Sequence, residues 1–244
     1  MPRLTSNSGH ISSEDLLRAT TPIVSIDTSK SASTADTPWH EMYRRDKYAR
    51  DRVMKSARLL LPFLKDGDLV LDVGCFTQEA RKYYPPWIKY LGIDQKAYHP
   101  ETKVVDLNHG FEPIPCQAVL CLETLEHLLD PKDTLLSILS SVQSGGYVVA
   151  SLPNEATIFH RIRSLLGTVD AECFSGEGKH LHLPSLRQSR DFLKSNNLLS
   201  LQKELYYISP TACHSKQSWV GKILQLIPVR IQQGLADRFP SLFA

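Results

Sequence analysis

The segment Leu69-Val70-Leu71-Asp72-Val73-Gly74-Cys75, followed by Tyr90-Leu91-Gly92-Ile93-Asp94, constrains this chain more than any other feature. A short run of branched apolar residues broken by a glycine reads as a buried strand ending in a tight turn. The second run repeats the pattern and ends in a carboxylate about twenty residues past the turn, the distance at which a βαβ unit brings an Asp or Glu onto the ribose hydroxyls of a nucleotide-like cofactor. Such a cofactor lies at the carboxyl ends of parallel strands, where open α/β sheets bind ligands.

The remaining pattern extends this unit in both directions. Trp39 to Leu64 reads as a helix or two: Tyr43 to Arg52 mixes charge signs like a solvated face, and Val53 to Leu64 is apolar enough to pack on a sheet. Strands are expected at 69–73, 89–94, 103–106, 118–122, 147–152 and 201–208, the fifth entered through Gly145-Gly146 and closed by Pro153. A short helix is expected over Gln78–Tyr84, stopped by Pro85-Pro86, and longer ones from Pro131 to about Val142, over Thr157–Leu166 and over Leu186–Asn196. Strands alternating with helices predict an α/β fold, a doubly wound and mostly parallel sheet with right-handed crossovers. Residues 1–38 are polar and read as disordered or loosely packed, leaving 39–244 as the folded domain, with the insertion 154–183 as a cap over the substrate.

Composition excludes some classes of function. With 42% hydrophobic and 22% charged residues, the chain reads as an ordinary globular protein, and a net charge of +2 argues against a dedicated nucleic-acid surface. Cys75, Cys116, Cys121, Cys173 and Cys213 form no C-x-x-C pair, and Cys121 falls inside an expected buried strand, as thiols of a reducing cytosol do. No apolar run approaches the ~18 residues of a membrane span, and the start lacks the apolar core of a secretion signal. A cytoplasmic protein is expected.

Leu69–Gly74, Gly92-Ile93-Asp94, Leu122–Pro131 and Gly145–Pro153, in that order, resemble class I S-adenosylmethionine-dependent methyltransferases. The match is best to the broad group that includes glycan-cluster, methionine-biosynthesis W-type and ubiquinone-biosynthesis methyltransferases. The resemblance implies S-adenosyl-L-methionine as cofactor. It assigns to the cofactor site Asp72, which orients the glycine loop, Gly74 and Cys75 in that loop, Asp94 on the ribose, Asp106 and Leu107 near the adenine, and Glu123 just past the fourth strand. The chain departs from the usual Gly-Cys-Gly turn by placing Phe76 where the last glycine stands. A left-handed backbone there costs a phenylalanine about 1 kcal/mol.

Glu123-Thr124-Leu125-Glu126-His127 carries the candidate chemistry. On a helical turn, positions i, i+3 and i+4 share a face, so both carboxylates and the imidazole would converge. His180 or His182 can complete the group, since i, i+2 spacing in an extended segment puts both on one side. The motif resembles metal-assisted ubiquinone-biosynthesis O-methyltransferases and small-RNA 2′-O-methyltransferases, and this implies Mg²⁺ or Mn²⁺ held by Glu123, Glu126, His127 and His182, with His180 as substitute. Two other readings stay open: His127, with Glu126 beside it, as a metal-free general base, and a structural role for the whole cluster.

The reading is therefore a methyltransferase acting on a hydroxyl of a small molecule or glycan. Its rivals are a non-catalytic scaffold that has kept the fold and an RNA ribose methyltransferase. The apolar and basic stretch 221–244 covers the sheet or lies on a membrane surface, and the final antiparallel strand is expected to be missing or reduced.

Overall fold

A computed structural model describes residues 47–154, 156–167, 180–182, 184–194 and 228–239, all within the compact unit Thr37–Ala244. The expected N-terminal segment 1–38 and the expected strand 201–208 lie outside these residues.

Five parallel strands form the described sheet: β1 (Leu69–Val73), β2 (Lys89–Asp94), β3 (Lys103–Val104), β4 (Cys116–Leu122) and β5 (Val142–Ser151), in the order β3-β2-β1-β4-β5. β1 lies between β2 and β4, with Asp72 level with Gly92 on one side and Leu120 on the other. Side chains alternate across it. Leu71, Val73, Val119 and Cys121 enter one core, while Val70, Ala118 and Leu120 enter the other.

Each core has its own helical cover. Helix α1 (Lys47–Leu60) buries Ala49, Val53, Ser56, Ala57 and Leu60, a stripe at helical spacing, against the Val70 face. Helix α2 (Pro131–Ser141) covers the opposite face with Leu135 and Ile138. Its start follows from local chemistry. Asp130 accepts the Lys132 N–H at 2.9 Å, and Pro131 occupies the first turn, where its missing donor costs nothing. Three further helices are described: α3 (Ile158–Leu165), α4 (Leu186–Lys194) and α5 (Val229–Arg238). Helices on both faces of a parallel sheet make this the doubly wound, Rossmann-like fold.

Several boundaries differ from expectation. The short helix before β2 is a 3-10 segment at Glu79–Tyr83, because Gln78 enters it left-handed at φ 55°. β3 ends at Val104, two residues early, though the Val105 N–H still reaches the Asp94 carbonyl at 2.9 Å. β4 starts two residues early, at Cys116. β5 starts at Val142 rather than Tyr147. Val142 pairs with Cys116 and Tyr147 with Ala118, so the intervening residues, with Gly145 at φ 77°, are accommodated as a register shift.

Candidate functional site

The strand order reverses between β1 and β4, which opens a crevice beyond their carboxyl ends. Three loops meet there: Gly74–Gln78 after β1, the segment after Asp94, and Glu123–His127 after β4.

Backbone hydrogen bonds fold the first loop against β2. Gly74 and Cys75 donate to the Ile93 carbonyl at 2.9 and 3.1 Å, and Phe76 donates to Asp94 Oδ2 at 2.9 Å. Lys96 donates to Asp94 Oδ1 at 3.2 Å. Asp94 is thus the anchor of the loop. Burial pushes its carboxyl up, and the backbone donors Phe76, Lys96 and Gln95 together with the Lys96 ammonium oppose that shift. A carboxylate offers about four acceptor sites, so three backbone donors leave capacity for a hydroxyl.

Gly74 has φ 74°, and a Cβ on it would run into the Thr124 hydroxyl. Its smallness is explained by this contact between two loops, which sequence reasoning missed because Thr124 lies fifty residues away. Phe76 keeps the left-handed geometry of a glycine, at φ 46°. Its N–H bond to Asp94 and the ring of Tyr98, 4.7 Å away between centroids, hold it there. Gln78, also left-handed, donates from its side chain to Thr102 at 3.0 Å.

Asp72 lies beneath the loop, buried, and accepts a hydrogen bond from the Tyr90 hydroxyl. Loss of solvent pushes its carboxyl from 3.8 up to about 7; the Tyr90 bond pulls it down and the Asp94 charge raises it further. The folded protein therefore keeps this proton where an unfolded chain releases it. The resulting stability is fully present below about pH 4 and lost as pH rises through about 7, a decline of order 4 kcal/mol. Urea unfolding at pH 5 and pH 8 should show it, and Asp72→Asn should flatten it. Cys75 is buried with its thiol pushed to about 12, first by burial and then by Asp72, so it is a packing residue rather than a nucleophile.

Asp106 and Leu107 separate in role. Asp106 is exposed and accepts both the backbone and side-chain N–H groups of Asn108 at 3.0 Å, which hold its carboxyl below the usual range. Leu107 is buried in the α2-side core.

The cluster after β4 differs from the expected foursome. The turn is 3-10 over Leu125–His127, and Glu123, at φ 50°, stands outside it. Glu123 accepts from the Ser151 hydroxyl at 2.8 Å and pairs with Arg52 at 3.4 Å. Leu181 and His182 both donate their backbone N–H to the Glu126 carbonyl, at 2.8 and 3.0 Å. His182 Nε2 donates to the Leu128 carbonyl at 2.9 Å, while the His180 ring meets His127 edge-on, 4.8 Å between centroids. Buried Glu126, with His127 and His180, offers ligand atoms all within 4.8 Å of one another. Glu126 Oε1 lies 3.9 Å from His127 Nε2. This trio can polarise a hydroxyl or, after rotation inward, close on one divalent ion. Two imidazoles and one carboxylate suit Mn²⁺ or Zn²⁺ better than Mg²⁺. Arg161 is exposed and donates to the Ala156 carbonyl at 2.8 Å. No helix among the described residues is long and apolar enough to cross a membrane.

Residues 42–202 match the family described as methyltransferase domain. No curated protein matches the chain in sequence. Among solved structures, a SAM-dependent methyltransferase from Archaeoglobus fulgidus is 17% identical over 85% of this chain and 96% of its own, with a TM-score of 0.52. The N-methyltransferase NodS from Bradyrhizobium japonicum, in complex with S-adenosyl-L-homocysteine, is 18% identical over 48% and 67%, with a TM-score of 0.40. A Haloferax volcanii methyltransferase in complex with the activator Trm112 is 24% identical over 44% of this chain, with a TM-score of 0.36; only 55% of its own length is covered.

Proposed function

The chain belongs to the methyltransferase-domain family, and from that premise we propose that it is an S-adenosylmethionine-dependent class I enzyme that methylates a hydroxyl on a small molecule or glycan. The observation that carries the hydroxyl assignment is the convergence of Glu126, His127 and His180, in and beside a turn whose Thr124 packs on Gly74.

The residues at the switch point fit the cofactor. In this reading Asp94 receives the ribose, the Asp106–Leu107 backbone flanks the adenine, and Gly74, Cys75 and Glu123 border the amino-acid end. Asp72 supports the loop from below. When bound, the cofactor supplies a methyl group on a sulfonium sulfur. His127 would take the proton of the acceptor's hydroxyl as that oxygen becomes the methyl acceptor. Glu126 lies beside the imidazole, its Oε1 3.9 Å from His127 Nε2. Positioning of the acceptor beside His127 would supply much of the rate enhancement.

A second reading is favoured by the second imidazole. Mn²⁺ held by Glu126, His127 and His180 would bind the acceptor oxygen and ease loss of its proton. In this role His180 replaces His182, and Glu123 leaves the ligand set.

A panel of hydroxyl- and amine-bearing acceptors, assayed by S-adenosylhomocysteine release after EDTA treatment and with Mn²⁺ restored, tests both points. Turnover on hydroxyl acceptors is expected. Turnover on amines alone would overturn the assignment, and equal rates with and without Mn²⁺ would reject the metal.

A further inference from the structure

Thr124 carries no charge and takes no proton, yet three parts of the crevice meet in it. Its side chain is buried. The hydroxyl stands 3.2 Å from the Val73 carbonyl and 3.1 Å from the Leu122 carbonyl, the last residues of β1 and β4. With one proton it donates to one of them at a time, and either bond ties it to a strand end at the switch point. The same side chain fills the space that a Cβ on Gly74 would need. Its backbone serves the other side. The Thr124 carbonyl accepts the His127 N–H at 3.1 Å and closes the 3-10 turn that carries Leu125, Glu126 and His127.

We propose that Thr124 is a positioning residue, which sets the distance between the methyl donor at the glycine loop and the acceptor oxygen beside His127. This rests on the function proposed above, and it holds whether His127 acts as base or as metal ligand. The side chain bears on the donor's loop and the backbone on the acceptor's turn, so one residue passes any shift between them. Two features make that link stiff. A threonine is branched at Cβ and restricted about χ1, and here the side chain is packed on Gly74 as well. The preceding residue, Glu123, is left-handed at φ 50°, and its N–H donates to the Ser151 carbonyl at 3.2 Å, which anchors the turn to β5. A strained non-glycine residue persists only where its surroundings over-determine it. Group transfer rewards such stiffness, since misplacement by about 1 Å can cost about 100-fold in rate.

Kinetics and calorimetry on the full chain test this, using the hydroxyl acceptor of the panel that turns over fastest. Thr124→Val keeps the branched shape and loses the hydroxyl, whereas Thr124→Ser keeps the hydroxyl and loses the methyl. Thr124→Val should lower kcat about 10- to 100-fold, while the dissociation constant of S-adenosylhomocysteine moves by less than about threefold. Thr124→Ser should recover most of kcat. A merely structural role would instead lower donor affinity and melting temperature together with kcat. The proposal is overturned if Thr124→Val keeps full kcat, if its donor affinity falls in step with kcat, or if Thr124→Ser does no better than Thr124→Val. Each of those results leaves the proposed function standing. An unaltered, folded chain that turns over no hydroxyl acceptor would overturn that function, and this role with it.

Discussion

Asp94→Ala is expected to weaken S-adenosylhomocysteine binding at least 100-fold by calorimetric titration. Two losses combine. The first is direct: hydrogen bonds from ribose hydroxyls to a charged acceptor contribute roughly 1.5–3 kcal/mol each. The second is structural, since the Phe76 and Lys96 N–H groups lose the acceptor that shapes the glycine loop. Leaving such donors unsatisfied costs about 1–3 kcal/mol where they are buried, so the variant should also melt at a lower temperature. Asp94→Asn separates the two losses. Its amide oxygen can still accept from one backbone donor, so its melting temperature should stay closer to that of the unaltered chain while affinity falls. Affinity within threefold of the unaltered chain for Asp94→Ala would remove this residue from the cofactor site.

His127→Ala is expected to leave S-adenosylhomocysteine affinity unchanged and to lower turnover on the best acceptor by at least about 100-fold, the range assigned to a general base. The backbone N–H groups that anchor the glycine loop donate to Ile93 and Asp94. His180→Ala then divides the two chemical readings. If His127 acts alone as base, His180→Ala keeps most of the turnover, because His180, which meets His127 edge-on, takes no proton. If a metal ion bridges the trio, both substitutions abolish the Mn²⁺-dependent rate. Full activity in His127→Ala would contradict both readings.

The strands at the centre of the sheet were legible because burial on both faces leaves a mostly apolar run. β1 and β2 begin and end where those runs do. The acid that ends β2 and the glycine after β1 were legible for the same reason, as breaks in such runs. Elements that depend on partners distant in sequence were not. β5 looked like a strand starting after two glycines, yet Val142 pairs with Cys116 ahead of them. Glu123 looked like the first member of a helical triad, but its left-handed backbone and Ser151 turn it toward Arg52. Spacing alone placed His180 and His182 on one side. The Glu126 carbonyl collects the N–H groups of both Leu181 and His182, so the two imidazoles part, one to His127 and one to the Leu128 carbonyl. Phe76 departed from the familiar glycine, and only the three-dimensional arrangement shows what holds it: a hydrogen bond to Asp94 and the ring of Tyr98.

The central claim is that the crevice between β1 and β4 binds the methyl donor with Phe76 in place. Calorimetric titration of the full chain with S-adenosylhomocysteine tests it most directly. The account predicts saturable one-to-one binding with a dissociation constant on the order of micromolar, about −8 kcal/mol. No heat of binding from a protein shown to be folded would contradict it, and would mark the chain as one that has kept the fold without the cofactor.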